Sequence, residues 1–217
     1  MDIPEFEDST IHTSQKLKEI VKQFGNADLS ADEKELFKEF ISECIKLLKM
    51  VCAKGSSFQN LIVNTSNMVE TLKMILEQKF RNTLDVELKC FQLIANLCVQ
   101  NKGSQDKIWT SMSDIIFKKF KSTENSYVNV SSMIIYNLVI NESPHIDQKK
   151  VVKISLSHYE EFLKNSHRPL PEFVFILMDY MICLNPCILG IYKELEDKEL
   201  QNFLFYVNDH LEDEASK

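Results

Sequence analysis

Glycine and proline are scarce in this 217-residue chain, with 4 and 5 copies, and there is a single tryptophan. Because glycine and proline interrupt helices, their scarcity favours a chain that is mostly helical. No stretch alternates polar and apolar residues between hairpin turns, so we predict no β-sheet. The sequence therefore predicts an all-α protein.

An excess of basic residues is also missing. The formal net charge is -7, and the 25 lysines and arginines do not gather into a run. Because nucleic-acid binding depends on neutralising phosphates, the charge argues against a nucleic-acid partner. No apolar run reaches the roughly 18 residues that a membrane span needs, so we expect no membrane insertion. The first ten residues, MDIPEFEDST, are acidic and lack the apolar core of a secretory signal, which favours a cytoplasmic location and reduced cysteines.

Catalytic motifs are the third absence. The chain has no glycine-rich phosphate loop and no G-x-S-x-G. Cys90 and Cys98 lie two helical turns apart, but no histidine in that segment could act as their base. Cys183 and Cys187 flank Asn185-Pro186 at a spacing that does not fit a zinc site. We therefore expect cysteines that pack in the core, and neither an enzyme nor a metal or cofactor site.

What the sequence does contain is a series of apolar patterns at helical spacing. Ser30 and Glu33 have the spacing of a capping box, which marks a helix start. We expect one domain, 1–217, with loosely ordered tails at 1–12 and 209–217. The predicted helices cover residues 15–24, 30–54, 67–79, 85–99, 112–121, 126–140, 148–164, 172–184, 189–195 and 198–207.

A weak internal repeat relates these helices. Cys98 lies 46 residues after Cys52, and at the same offset Gln105 aligns with Gln59. IANLCVQN (94–101) aligns with IYNLVINE (135–142) at an offset of 41. Helical repeats of about 40 to 47 residues are typical of armadillo and HEAT solenoids, whose stacked units cover each other's apolar helices. We predict four to five such units; a bundle of unrelated helices is the alternative.

The stretch CFQLIANLCVQNKGSQDKI (90–108) resembles the N-terminal armadillo region of the ataxin-10 family. The family pattern is C-F-x-x-L-x-N-x-C, then a polar loop with Asn-Gln and a hydrophobic residue three positions on. Ser104 stands where the family has the asparagine, and the family's C-terminal armadillo domain is not recognisable. The strong match covers about 20 of the 217 residues. The residues that carry the resemblance are Cys90, Phe91, Leu93, Asn96, Cys98, Gln105 and Ile108; Leu93 lies one position before the leucine of the pattern, where Ile94 stands.

The resemblance implies an armadillo fold and a non-enzymatic protein-binding scaffold or adaptor. Members of the family are linked to neuronal survival, cytokinesis and cilium-related signalling, through binding to kinases and a glycosyltransferase. The alternative function is an armadillo-type chaperone cofactor that promotes nucleotide exchange on a heat-shock ATPase. The acidic first helices suit a polar N-terminal cap, whereas Phe203, Leu204 and Tyr206 either cap the other end or form a homo-oligomer through the terminal repeat.

Two stripes of mostly polar side chains are the candidate protein-binding groove. Residues three or four positions apart share a helix face, and an amide group can hold an extended peptide through its donor and acceptor. Alternatively, each asparagine bonds a neighbouring backbone group, as buried amides usually do. Met50 and Met181 occupy the corresponding places in the flanking units. The groove residues are Lys89, Gln92 and Asn96 in one helix and Asn129, Met133 and Asn137 in the next.

Trp109 allows two interpretations. Tryptophan is common at binding hot spots, so an exposed Trp109 would be an anchor for a partner. Its repeat-mate at an offset of 46 is Val63, which favours a core position between two units.

Overall fold

The computed structural model describes residues 3–26, 29–65, 67–77, 84–141, 146–164 and 170–183. Within these residues the chain is all-helical and contains no strand, which confirms the predicted all-α class. The helices predicted at 189–195 and 198–207, the tail 209–217 and the candidate end residues Phe203, Leu204 and Tyr206 lie outside the described residues. The helices are α1 (Ile3–Asn26), α2 (Ala31–Cys52), α3 (Ser56–Asn64), α4 (Met68–Glu77), α5 (Leu84–Cys98), α6 (Lys102–Phe120), α7 (Asn125–Ile140), α8 (Gln148–Lys164) and α9 (Glu172–Cys183).

The first helix begins earlier than the sequence suggests. We predicted a loosely ordered segment over 1–12, but α1 begins at Ile3. The Phe6 ring packs edge-on against Phe58, with 5.4 Å between ring centroids. Thr10 and Ser14 continue that face and are buried. Short polar side chains at a spacing of four do not read as an apolar face in the sequence, although Thr10 and Ser14 are buried here.

The start of α2 agrees with the sequence. The Ser30 hydroxyl accepts from the Glu33 backbone N–H, and the Glu33 carboxylate accepts from the Ser30 N–H, so the predicted capping box is formed. The Ser30 hydroxyl also donates to the Glu33 carboxylate at 2.7 Å. This bond, followed by the one from the Ser30 backbone N–H, lowers the pKa of Glu33, because both favour its charged form.

The segment after Cys98 is a correction to the sequence analysis. We expected a polar loop up to about residue 111, but α6 begins at Lys102. The Asn101 side chain caps this helix by accepting from the Ser104 N–H at 3.1 Å. The polar residues that follow therefore belong to a helix. A second helix, α3, was missed altogether at 56–64.

Four helices pack side by side in one row, in the order α2, α5, α7 and α9, and we call this the helix row. Contacts between successive members occur in ascending order along both helices, so the members run parallel. From α2 to α5 they join Ser42 to Lys89 and Lys49 to Gln92. From α5 to α7 they join Glu87 to Tyr127 and Ala95 to Asn137, and from α7 to α9 they join Asn129 to Phe173 and Tyr136 to Tyr180.

Two glutamines make the same contact in successive parts of the row. Gln59 Nε2 donates to the backbone carbonyl of Asn96 at 3.0 Å, and Gln105 Nε2 donates to that of Asn137 at 3.2 Å. The two donors are the pair aligned at an offset of 46, and the two acceptors are the pair aligned at 41. The remaining helices pack against the row, and one continuous cluster of buried side chains extends from Leu17 to Met181.

Candidate protein-binding face

The polar stripe of α5, formed by Lys89, Gln92 and Asn96, lies beside α2. Lys89 Nζ donates to Ser42 Oγ of α2 and to Asp85 Oδ2, both at 2.6 Å. Gln92 accepts from the Lys49 ammonium of α2. Lys89 and Gln92 thus help to hold α5 to α2, and all three stripe side chains are half-buried and retain exposed surface.

Asn96 also lines a surface cavity of about 320 Å³. The other walls come from the end of α2, the start of α3 and the end of α5, and they include Gln59 and Gln100. Gln59 is buried and bonded to Asn96 and Asn101, so the amides that could offer donors and acceptors to the backbone of an extended peptide are those of Asn96 and the exposed Gln100. The remaining lining residues are Cys52, Ala53, Gly55, Ser56 and Val99.

The stripe of α7 has a different character. Asn137 is only 7% exposed, and its Nδ2 donates to the Ala95 carbonyl of α5 at 3.2 Å. Asn129 Oδ1 accepts from the Phe173 N–H in the first turn of α9 at 2.8 Å. Met133 is half-buried. The two asparagines thus bond neighbouring backbone groups. This is the structural role that the sequence analysis gave as the alternative to peptide binding in a groove.

A cluster of amide side chains that the sequence analysis did not single out connects α3, α5, α6 and α7. Asn101 Nδ2 donates to Gln59 Oε1 at 3.1 Å and to Asn60 Oδ1 at 3.0 Å. Gln105 Nε2 donates to the carbonyls of Cys98, at 2.6 Å, and of Asn137. The repeated glutamine was the only signal in the sequence that could have indicated this cluster.

A second polar cluster joins α5, α6 and α7. The Lys119 ammonium and the Tyr127 hydroxyl both donate to Glu87 Oε2, each at 2.5 Å. Lys119 Nζ also lies 3.6 Å from the centre of the Tyr127 ring. Burial, followed by the hydrogen bond to the Glu87 carboxylate, raises the pKa of the Tyr127 hydroxyl well above its ordinary value. Tyr127 therefore stays protonated as a donor.

Four cysteine side chains are described, and all four are buried free thiols. Burial, with a smaller contribution from Glu43, raises the pKa of Cys44 to about 11, and burial raises that of Cys52 to about 12. Burial also holds the pKa values of Cys90 and Cys98 far above the ordinary thiol value. The prediction of core packing is confirmed for these four, whereas the side chains of Cys183 and Cys187 are outside the described part.

Trp109 is buried and packs edge-on against Phe117, with 5.3 Å between ring centroids. Its repeat-mate Val63 is buried as well. The core interpretation of Trp109 is therefore confirmed.

Among the described residues, no three histidine, cysteine, aspartate or glutamate side chains are grouped so that they could hold a metal ion. In the same part of the chain, no helix is both long enough and apolar enough to cross a bilayer. Comparisons with family models, curated proteins and solved structures found no match to this chain.

Proposed function

We propose that this chain is a non-enzymatic protein-binding scaffold built as an armadillo-type solenoid. The observation that carries the proposal is the equivalent pair of contacts from Gln59 to Asn96 and from Gln105 to Asn137. Gln59 in α3 and Gln105 in α6 align with each other in the sequence, and each donates to a backbone carbonyl of a row helix, α5 and α7 respectively. Unrelated helices in a bundle have no reason to repeat a side-chain contact between residues that align in the sequence repeat.

A row of parallel helices offers a long surface suited to extended partners. In this proposal the binding groove runs along the outer side of α5 and α7. The half-buried Lys89, Gln92 and Asn96 contribute most of its polar surface, together with Met133. Asn129 and Asn137 lie beneath it and fix the spacing of the helices through their backbone contacts.

The resemblance to the ataxin-10 family supports an adaptor role of that type. Except for Asn96, which is half-buried, the residues that carry the resemblance are fully buried. The shared pattern thus describes how α5 and α6 are buried in the core, which a repeat unit needs, and leaves the partner-binding surface free to differ. Kinases and a glycosyltransferase are the partner classes that the resemblance implies.

An experiment that introduces negative charge on the stripe tests the groove. The double variant Gln92→Glu, Asn96→Glu places two carboxylates on the stripe, and Asn137 stays unchanged because a charge at its buried position would impair folding. The matched control Gln15→Glu, Gln23→Glu adds the same charge to exposed positions of α1. After circular dichroism shows equal helicity, partners captured from cell lysate are identified by mass spectrometry.

We expect the stripe variant to lose specific partners that the wild type and the α1 control both retain. Identical partner sets for all three proteins would contradict a groove at Gln92 and Asn96.

A further inference from the structure

Four exposed apolar side chains of α2 are Leu36, Phe40, Leu47 and Met50, which are 68%, 42%, 52% and 62% exposed. Their spacings of four, seven and three residues place them along one side of the helix, away from α5, which we call the outer edge of α2. The opposite side of α2 carries Ser42 and Lys49, which contact α5.

The equivalent face of every later member of the row is covered. At the repeat offsets of 46, 41 and 44, Leu47 corresponds to Leu93, Ile134 and Met178. Those three residues are 0%, 0% and 1% exposed, against 52% for Leu47. Phe40 likewise corresponds to Val86, which is buried.

The cover on α5 is α2 itself. Val86 and Leu93 lie three residues before and four residues after Lys89, so the three share one helix face. Lys89 on that face bonds Ser42 of α2. The outer edge of α2 therefore has the position and the apolar character of a row interface, but no further helix of the described chain lies against it.

The charges around the outer edge select the kind of helix that fits. Asp32, Glu33 and Glu43 are exposed beside the apolar residues, and the chain as a whole carries a net charge of -7. Glu43 pairs with Lys46 at 3.3 Å, and both side chains are about 60% exposed. In a symmetric antiparallel pairing of two copies, the interface would bury Glu43, at the middle of the edge, against its own counterpart, and this repulsion between desolvated carboxylates disfavours self-association.

We propose that the outer edge of α2 binds an amphipathic helix of another protein, whose apolar stripe is flanked by lysine or arginine. That helix lies parallel to the row, in the place that α2 takes against α5. The proposal shares with the function above only the premise that the chain binds proteins. It concerns a different surface, so either can fail without the other.

Two synthetic helical peptides of equal length test the proposal. Both carry the same row of leucines, flanked by lysine in one and by glutamate in the other. Binding of each labelled peptide to the full chain is measured by fluorescence anisotropy. We expect the lysine peptide to bind and the glutamate peptide to bind at least about tenfold more weakly, because charge complementarity decides between equal apolar stripes.

Three variants locate the binding. Leu47→Gln removes the apolar contact at an exposed position and should weaken binding of the lysine peptide by about tenfold or more. Leu84→Gln is the matched control, because Leu84 is an exposed leucine of α5 away from this edge, and it should leave binding unchanged. Glu43→Lys should reverse the preference between the two peptides.

The proposal is overturned if the two peptides bind equally, or if Leu47→Gln and Leu84→Gln bind the lysine peptide as the wild type does. It is also overturned if sedimentation shows a wild-type dimer that Leu47→Gln converts to monomers, since a second copy would then cover the edge. The Gln92→Glu, Asn96→Glu variant should bind the lysine peptide normally, which separates this surface from the groove.

Discussion

Gln105 is a fully buried side chain that bonds two backbone carbonyls in different helices. Gln105→Met keeps most of its volume but removes both hydrogen bonds, and Gln105→Ala adds a cavity. We expect the methionine variant to lose about 1–3 kcal/mol of unfolding free energy, and the alanine variant to lose more. Urea denaturation followed by circular dichroism measures both, with exposed Gln15→Ala as the control. A methionine variant as stable as the wild type would show that these hydrogen bonds contribute nothing.

The buried thiols give a second prediction for single residues. Because the folded-state pKa of Cys44 is about 11 and that of Cys52 about 12, these thiols stay protonated at pH 8 and should react slowly with alkylating reagents. Unfolding in urea should raise their reaction rates to those of free cysteine. The raised pKa values also imply a stabilising contribution that is complete below the ordinary thiol pKa and is lost as pH rises through 11 and 12.

Mass spectrometry of alkylated peptides follows each cysteine separately. Rapid native labelling of Cys44 or Cys52 would contradict their protection by burial.

For the helices, the start of α6 depends on one asparagine with two tasks. Asn101 Oδ1 caps the helix, and Asn101 Nδ2 bonds Gln59 and Asn60. Asn101→Ser should retain the cap and lose only the bonds to α3, whereas Asn101→Ala loses both. We expect the alanine variant to be less stable than the serine variant by about 1 kcal/mol, the usual value of a cap. Equal unfolding midpoints in urea would contradict a capping role for Asn101.

The sequence predicts helix positions well where apolar periodicity and local capping agree. The bounds of α8 and the start of α2 are correct for this reason. The sequence-based prediction misses the start of α6, because glycine at position 103 is typical of a loop and because the Asn101 cap depends on side-chain geometry. The partners of Asn129 and Asn137 lie 44 and 42 residues away, so a single sequence could place the stripe residues on helices but could not show what they bond.

For the whole molecule, equivalent positions in the row should differ greatly in their contribution to stability. Leu93→Ala empties a fully buried site and should cost about 2–5 kcal/mol. Leu47→Ala changes the exposed equivalent and should alter stability by no more than about 0.5 kcal/mol. Both are measured by urea denaturation. Similar losses at the two positions would mean that a second copy covers the edge of α2 in solution.

The same comparison shows which global feature the sequence could not supply. The offsets align Leu47 with Leu93 and so predict similar environments for both. Only the packing order of the helices shows that α2 is the first member of the row. For that reason Leu47 is exposed and is not covered by another helix of the described chain. Exposure at the end of a repeat depends on what lies next to it, which a periodic pattern does not encode.

The parallel direction of the helix row has an electrostatic consequence. Parallel helices align their macrodipoles, so four partial positive charges gather where the row helices begin. Each row helix carries acidic residues at that end, and these neutralise the partial charges: Asp32 and Glu33 in α2, Asp85 and Glu87 in α5, Glu124 at the N-cap of α7, and Glu172 in α9. Part of the net charge of -7 is therefore an internal counter-charge. Replacing these acids by amides would bring the protein closer to neutrality and at the same time destabilise it, most strongly at low ionic strength.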